Sequence, residues 1–220
     1  MKMSVKTDDQ PAVLRGGSLD TEQRVNVIRI AAIALFYLVH LWHVSAPRLG
    51  ETAASIIGFD INQPVSSNVH IVVTILCLGW LMQAFAIHFL AERELSERAI
   101  LLTCMADLVW LTSILCCSTG PVGPLVAGYF LIIMLSALRL DLRLIRATTI
   151  GAVGGYLVLL GAARWPMGLL KEVNLSTVPR YHQLMTVLAL IFAGVIMDRL
   201  VRKAYDASDD RLRDNRKDQL

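Results

Sequence analysis

Apolar residues along the chain fall into six long blocks that short polar segments separate. The blocks cover residues 25–44, 70–90, 99–117, 122–138, 147–163 and 183–201. A helix needs about 20 apolar residues to cross the roughly 30 Å hydrocarbon core of a bilayer. The pattern therefore predicts an all-α, polytopic membrane protein with six transmembrane helices. The fourth and fifth blocks hold 17 residues each, so we expect them to be short and to span only with little tilt.

Composition favours the same class of protein. Hydrophobic residues make up 55% of the 220 residues and charged residues 18%. Soluble domains are about 45–50% apolar and about 25% charged. The lipid bilayer is therefore the first partner that the sequence predicts.

Lys and Arg residues lie mostly on one side of the predicted bundle. The segments 1–24, 91–98, 139–146 and 199–217 hold sixteen of them, whereas the opposite side holds four, Arg48, Arg164, Lys171 and Arg180. Because positively charged loops stay in the cytoplasm, we expect both termini to be cytoplasmic in a bacterial inner membrane. The net charge of +3 comes from this asymmetry, so it does not indicate nucleic-acid binding.

The two termini are polar. Residues 1–24 mix basic and acidic side chains and contain no apolar signal-peptide core, so we expect a polar cytoplasmic arm followed by a first helix retained as an anchor. Residues 202–220 form a charged cytoplasmic tail that either continues the sixth helix or ends disordered. The chain carries no P-loop, nucleophile elbow or dinucleotide fingerprint. We therefore expect a protein that is not an enzyme.

Arg29 and Asp107 stand inside apolar blocks, where an ionisable side chain costs about 2.5–3.5 kcal/mol. Arg29 lies about one turn and Asp107 about two turns from the predicted cytoplasmic side, so their depths match to a few ångströms. We predict an intramembrane ion pair between them, with a structural rather than a proton-relay role. The alternative is that Arg29 reaches the lipid head groups while Asp107 bonds hydroxyls or stays protonated.

Four histidines, His40, His43, His70 and His182, lie toward the predicted outer side. Three roles are open: interfacial or packing residues, haem or metal ligands, and pH sensors. No metal-binding motif reinforces the second role. We therefore expect no cofactor, and we keep haem or metal ligation by these histidines as the alternative.

The fifth block contains a strip of small residues. Gly151 and Gly155 are four apart and so share a helix face, and Gly154 is expected to widen the strip. Small residues allow helices to approach closely in lipid. We predict packing within the bundle, with a homodimer seam as the alternative.

Four sequence features lie between the third apolar block and the sixth. They are Asp107, the run "STGPVGPLVAGYFLIIMLSALRLDLR" at 118–143, the Gly-Gly-Tyr at 154–156, and "VPRYHQL" at 178–184. This part of the chain resembles a bacterial six-span membrane input domain. Such domains precede the output modules of sensor histidine kinases and membrane-bound nucleotide cyclases.

The resemblance implies a sensor-like input module, here expected without an output domain. Such a module would act in signal transduction through a cytoplasmic partner that binds the 202–220 tail. Two alternatives remain open. One is a haem- or metal-binding redox protein that uses the outer histidines. The other is a small-solute transporter or channel with Arg29 and Asp107 in its path.

Overall fold

The computed structural model describes residues 12–49, 67–90, 96–118, 120–166 and 178–217. Within these ranges all regular structure is helical, as predicted, and no strand occurs. The helices are α1 (Ala12–Leu49), α2 (Ser67–Leu90), α3 (Glu97–Cys117), α4 (Ala127–Ala137), α5 (Leu142–Arg164) and α6 (Arg180–Lys217). Two short 3-10 turns, Gly120–Val122 and Pro124–Val126, lie between α3 and α4.

Helix length and composition fit a membrane protein. In the described part of the chain, five segments are long and apolar enough to cross a bilayer, and a sixth, Pro124–Ala137, is shorter. The five are Gln23–Leu41, Ser67–Phe89, Arg98–Cys117, Leu142–Arg164 and Arg180–Ala207. The short segment measures about 21 Å at about 1.5 Å per residue, less than a hydrocarbon core of about 30 Å.

The prediction that the fifth helix spans only with little tilt is wrong, because the helix is longer than its apolar block. α5 has 23 residues, a length of about 35 Å. It starts before the apolar block because the carboxylate of Asp141 caps it, accepting a hydrogen bond from the backbone N–H of Arg143 at 2.8 Å. Helix caps of this kind satisfy backbone donors that have no partner within the helix.

Two more helices extend well beyond the apolar blocks that predict them. α1 already begins at Ala12, inside the polar arm, and α6 runs through the charged tail to Lys217. Apolar length defines the part of a helix that lipid can cover, whereas the helix itself continues as long as its backbone hydrogen bonds do. Up to Lys217, the tail is therefore helical, which is one of the two states predicted for it.

Contacts between side chains define the directions of the helices. Asn26 lies beside Ala84, and His40 lies beside His70, so α1 and α2 are antiparallel. α3 packs on α2, α4 and α5 and so occupies the middle of the bundle. The core combines residues of all six helices, among them Ile33, Val73, Leu111, Tyr129, Ile133, Tyr156, Leu159 and Leu190.

The glycines of α5 divide between two faces. A Cβ on Gly151 would lie 2.6 Å from Cδ1 of Leu108, and one on Gly155 would lie 2.7 Å from Oγ1 of Thr112, so both glycines allow α3 to approach closely. Nothing lies within 4 Å of the corresponding position on Gly154. The prediction that Gly154 widens the strip is therefore wrong, because it points away from the face that packs.

Candidate functional site

The structure brings Arg29 and Asp107 together. Nε of Arg29 on α1 lies 2.9 Å from Oδ2 of Asp107 on α3, and each side chain is only 3% exposed. The Nε–H bond does not point straight at this oxygen, so the contact is an ion pair rather than a well-aligned hydrogen bond. This is the pair that the depths of the two residues predict.

Two further residues complete a buried polar network, which consists of Asn26, Arg29, Trp80 and Asp107. Nη1 of Arg29 donates to Oδ1 of Asn26 at 3.0 Å, and Nδ2 of Asn26 donates to the carbonyl oxygen of Ala84 at 3.0 Å. Nε1 of Trp80 donates to Oδ1 of Asp107 at 2.8 Å. Trp80 and Ala84 are one turn apart on α2, so the contacts form a closed ring through α1, α2 and α3.

The buried polar network is suited to holding helices together. Both carboxylate oxygens of Asp107 have partners, and the four side chains of the network are at most 3% exposed. Charges taken out of water in this way are tolerated when they are paired, and removal of one partner leaves the other charge buried. Because both charges are paired and their side chains are almost fully buried, the arrangement matches a clamp between helices.

A second polar contact lies near this network. Arg139, in the turn after α4, donates from Nη1 to Sγ of Cys104 on α3 at 2.9 Å. Cys104 precedes Asp107 by three residues, so the two side chains lie on neighbouring parts of one helix face. Sequence reasoning missed this contact, because Arg139 directly follows an apolar block and is indistinguishable there from the other basic residues of segment 139–146.

His40 and His70 form a direct contact between α1 and α2. Nε2 of His40 lies 3.1 Å from Nδ1 of His70, and His40 is buried. The ring centroids are 5.3 Å apart and the rings are 17° from parallel. The centroid distance exceeds the nitrogen–nitrogen distance by about two ring radii. Both nitrogens therefore lie close to the line that joins the ring centroids. The two imidazoles therefore share one hydrogen bond in nearly a common plane.

This geometry limits which group the two histidines hold. A metal in line between the nitrogens forms two bonds of about 2 Å, which separates the nitrogens by about 4 Å. The observed 3.1 Å is shorter, and a haem would also need room for its macrocycle across that line. Haem does not fit between these residues while α1 and α2 stay packed, whereas a single metal ion requires the nitrogens to separate by only about 1 Å.

The other two candidate ligands are not brought to this pair. The backbone of His43 lies in α1, and its side chain is outside the described part of the structure. His182 is exposed in the first turn of α6, where its ring lies against that of Tyr181 with the centroids 4.4 Å apart. Among the residues whose positions are described, no group of three or more His, Cys, Asp or Glu side chains could hold a metal ion.

Two contacts hold α6 against its neighbours at the end of the bundle where α5 begins. Asp198 accepts hydrogen bonds from Nε of Arg146 at 3.1 Å and from Nε of Arg202 at 2.8 Å. The hydroxyl of Tyr205 donates to the carbonyl oxygen of Leu140 at 2.6 Å. Sequence reasoning did not predict these two contacts between α6 and its neighbours. The available signal was Asp198, which is an acid in the last turn of an apolar block.

We compared the chain with models of protein families, with curated proteins and with solved structures, and found no match.

Proposed function

We propose that this protein is a non-enzymatic, multi-pass signal-input module of a bacterial inner membrane, with both termini in the cytoplasm. A stimulus at the outer ends of α5 and α6 shifts α6, and the cytoplasmic part of α6 passes this shift to a partner protein. The resemblance to six-span input domains and the placement of sixteen of the basic residues on one side support this proposal.

The observation that carries the proposal is the length of α6. It runs without interruption from Arg180 to Lys217, which is 38 residues and about 57 Å. This is nearly twice the hydrocarbon thickness of about 30 Å that a spanning helix has to cover. α6 is therefore one rigid element. It starts at the end of the bundle where α5 ends, and it extends well beyond the opposite end of the bundle.

α6 is also the least enclosed of the long helices. Only 17% of its spanning segment is buried, compared with 33% for those of α3 and α5. Leu190, Gly194 and Val201 form the narrow buried seam on its inner side. The buried polar network holds α1, α2 and α3 to one another, so α6 has a rigid body against which to move.

The test compares two leucines of α6 that are two positions apart. A reporter output domain is fused after Lys217, and its activity is measured in membranes for Leu190→Ala and for Leu188→Ala. Leu190 is fully buried in the seam, whereas Leu188 is 46% exposed. Leu190 lies 27 residues before Lys217, so an effect on the reporter has to travel about 40 Å.

We expect Leu190→Ala to change reporter activity several-fold and Leu188→Ala to leave it within experimental error. A flexible Gly-Ser linker between α6 and the reporter should abolish the effect, because it breaks the mechanical connection. Equal activities of both variants and the unaltered fusion, at equal amounts of folded protein, would rule out transmission through α6.

The contact between His40 and His70 favours a second candidate function, a membrane protein that binds a single transition-metal ion. Two imidazoles that converge from different helices are suitable ligands for such an ion. Metal analysis of the purified protein, with and without His70→Ala, tests this candidate. One equivalent of metal that the variant loses would support it, and equal metal content in both would exclude it.

A further inference from the structure

A cavity of about 540 Å³ lies between the last turn of α5 and the first turn of α6. Sites for small molecules have volumes of about 300–1,000 Å³. The cavity is lined on the α5 side by Leu157, Leu160 and Arg164, and on the α6 side by Arg180 and Gln183. It therefore lies at the ends of α5 and α6, where the proposed function places the stimulus that shifts α6.

The polar part of this cavity carries positive charge. Arg164 and Arg180 contribute two guanidinium groups, and no acidic residue is among the lining residues that the structure describes. Neither arginine forms an ion pair or a side-chain hydrogen bond with other residues in the described ranges. Because α6 begins at Arg180, the partial positive charge of its N-terminus adds to the same site.

The rest of the lining is apolar. Leu160 presents an alkyl side chain one turn before Arg164 on α5, and Leu157 presents another two turns before it. Pro121 and the exposed indole ring of Trp165 complete this side. A ligand that fills the cavity therefore needs an anionic end for the arginines and a hydrocarbon end for the leucines.

We propose that this cavity binds an amphiphile with one anionic head group, a carboxylate or a phosphate, and an alkyl chain. Arg164 and Arg180 bind the head group, which joins the ends of α5 and α6, and the chain packs on Leu157 and Leu160. The binding is independent of the proposed function, whereas its effect on α6 rests on that function. The source of the amphiphile is either a membrane phospholipid or a soluble carboxylate.

Octanoate is a suitable probe, since it is soluble and carries both parts of the ligand. Calorimetric titration of the full chain in detergent is expected to give one site, with 1-octanol binding about tenfold more weakly because it lacks the charge. Replacement of both arginines, Arg164→Gln with Arg180→Gln, should weaken octanoate binding about tenfold or more. The double Lys variant should retain most of the affinity.

Arg199→Gln serves as the matched control, because Arg199 is also an exposed arginine of α6 and lies far from the cavity. It should leave octanoate binding unchanged. Equal affinities for octanoate and octanol, or a double Gln variant that binds octanoate like the unaltered protein, would overturn the proposed site.

The same titration in nanodiscs identifies the source of the ligand. Suppression of octanoate binding by phosphatidylglycerol, but not by phosphatidylcholine, would identify an anionic phospholipid as the ligand. Unchanged binding in both would identify a soluble amphiphile. If octanoate binds as expected but leaves the α6 reporter unaltered, the site stands and its proposed effect on α6 is wrong.

Discussion

Tyr205 of α6 donates its hydroxyl hydrogen to the carbonyl oxygen of Leu140, in the turn that joins α4 to α5, over 2.6 Å. Leu140 has a positive φ of 55°, a left-handed conformation that is unfavourable for a residue with a side chain. The turn is thus held in a specific shape, and α6 is bound to that shape. Together with the contact between Arg146 and Asp198, this hydrogen bond determines where α6 leaves the bundle.

Tyr205→Phe should loosen this part of α6 without unfolding the bundle. The variant loses one hydrogen bond, which contributes about 0.5–1 kcal/mol at a half-exposed site. We expect amide hydrogen exchange of α6 after Asp198 to become about threefold faster. Mass spectrometry of deuterated peptides from both proteins measures this change.

Tyr181→Phe is the matched control, because Tyr181 is an exposed tyrosine at the opposite end of the same helix. Exchange after Asp198 should stay at the original rate in this variant. An unchanged rate in Tyr205→Phe as well would mean that the hydrogen bond to Leu140 does not restrain α6.

Replacement of one member of the ion pair should destabilise the bundle more than replacement of both. Asp107→Leu leaves Arg29 buried without its carboxylate, and such changes cost about 3–5 kcal/mol. In the double variant, Arg29→Leu with Asp107→Leu, two apolar side chains meet, and we expect a smaller loss. Unfolding of the four proteins in mixed detergent micelles gives the free energies for this double-mutant cycle.

If the double variant lost as much free energy of unfolding as the two single variants together, the two residues would not be coupled. That result would contradict a clamp formed by Arg29 and Asp107. Trp80→Phe provides an independent check on the same network. It removes the hydrogen bond to Oδ1 of Asp107 and also part of a buried ring, so its cost should be about 2 kcal/mol, below that of Asp107→Leu.

Close helix contacts predict that alanine destabilises the bundle at one glycine and is tolerated at another. A Cβ on Gly194 would collide with the side chain of Thr149, whose hydroxyl donates to the carbonyl oxygen of Ile145 at 2.7 Å. Gly194→Ala should therefore cost about 1–3 kcal/mol, because α5 and α6 have to separate. Gly154→Ala enters open space and should not lower stability.

Thermal unfolding in one detergent compares these two alanine variants directly. Equal melting temperatures would show that the contact between α5 and α6 relaxes at no cost. If Gly154→Ala instead abolished a dimer seen by cross-linking, that glycine would belong to an interface between two copies of the chain.

The sequence was sufficient to pair Arg29 with Asp107, because ionisable residues inside apolar blocks are conspicuous and their depth can be counted in turns. It did not reveal Trp80 or Asn26 as their partners. Depth along each helix is readable from hydropathy, whereas rotation about the helix axis depends on packing. α2 has almost no polar face from which that rotation could be read.

The same limit applies to the histidines and to α4. His40, His43, His70 and His182 share one predicted side of the membrane, and only the adjacency of α1 and α2 selects His40 and His70 as a pair. The fourth apolar block begins at residue 122. The structure uses Pro121 and Pro124 in 3-10 turns, because proline cannot donate the backbone hydrogen bond that a helix interior requires. The helix that remains is correspondingly shorter.

The direct contact between His40 and His70 predicts that added haem will not be bound between them. Their nitrogens are 3.1 Å apart, whereas an iron held between two imidazoles requires about 4 Å and space for the macrocycle. Titration of the purified protein with haemin should therefore give the same absorption spectrum for the unaltered chain and for His40→Ala. A Soret band that His40→Ala loses and His182→Ala keeps would contradict this prediction, and it would mean that α1 and α2 separate to admit the haem.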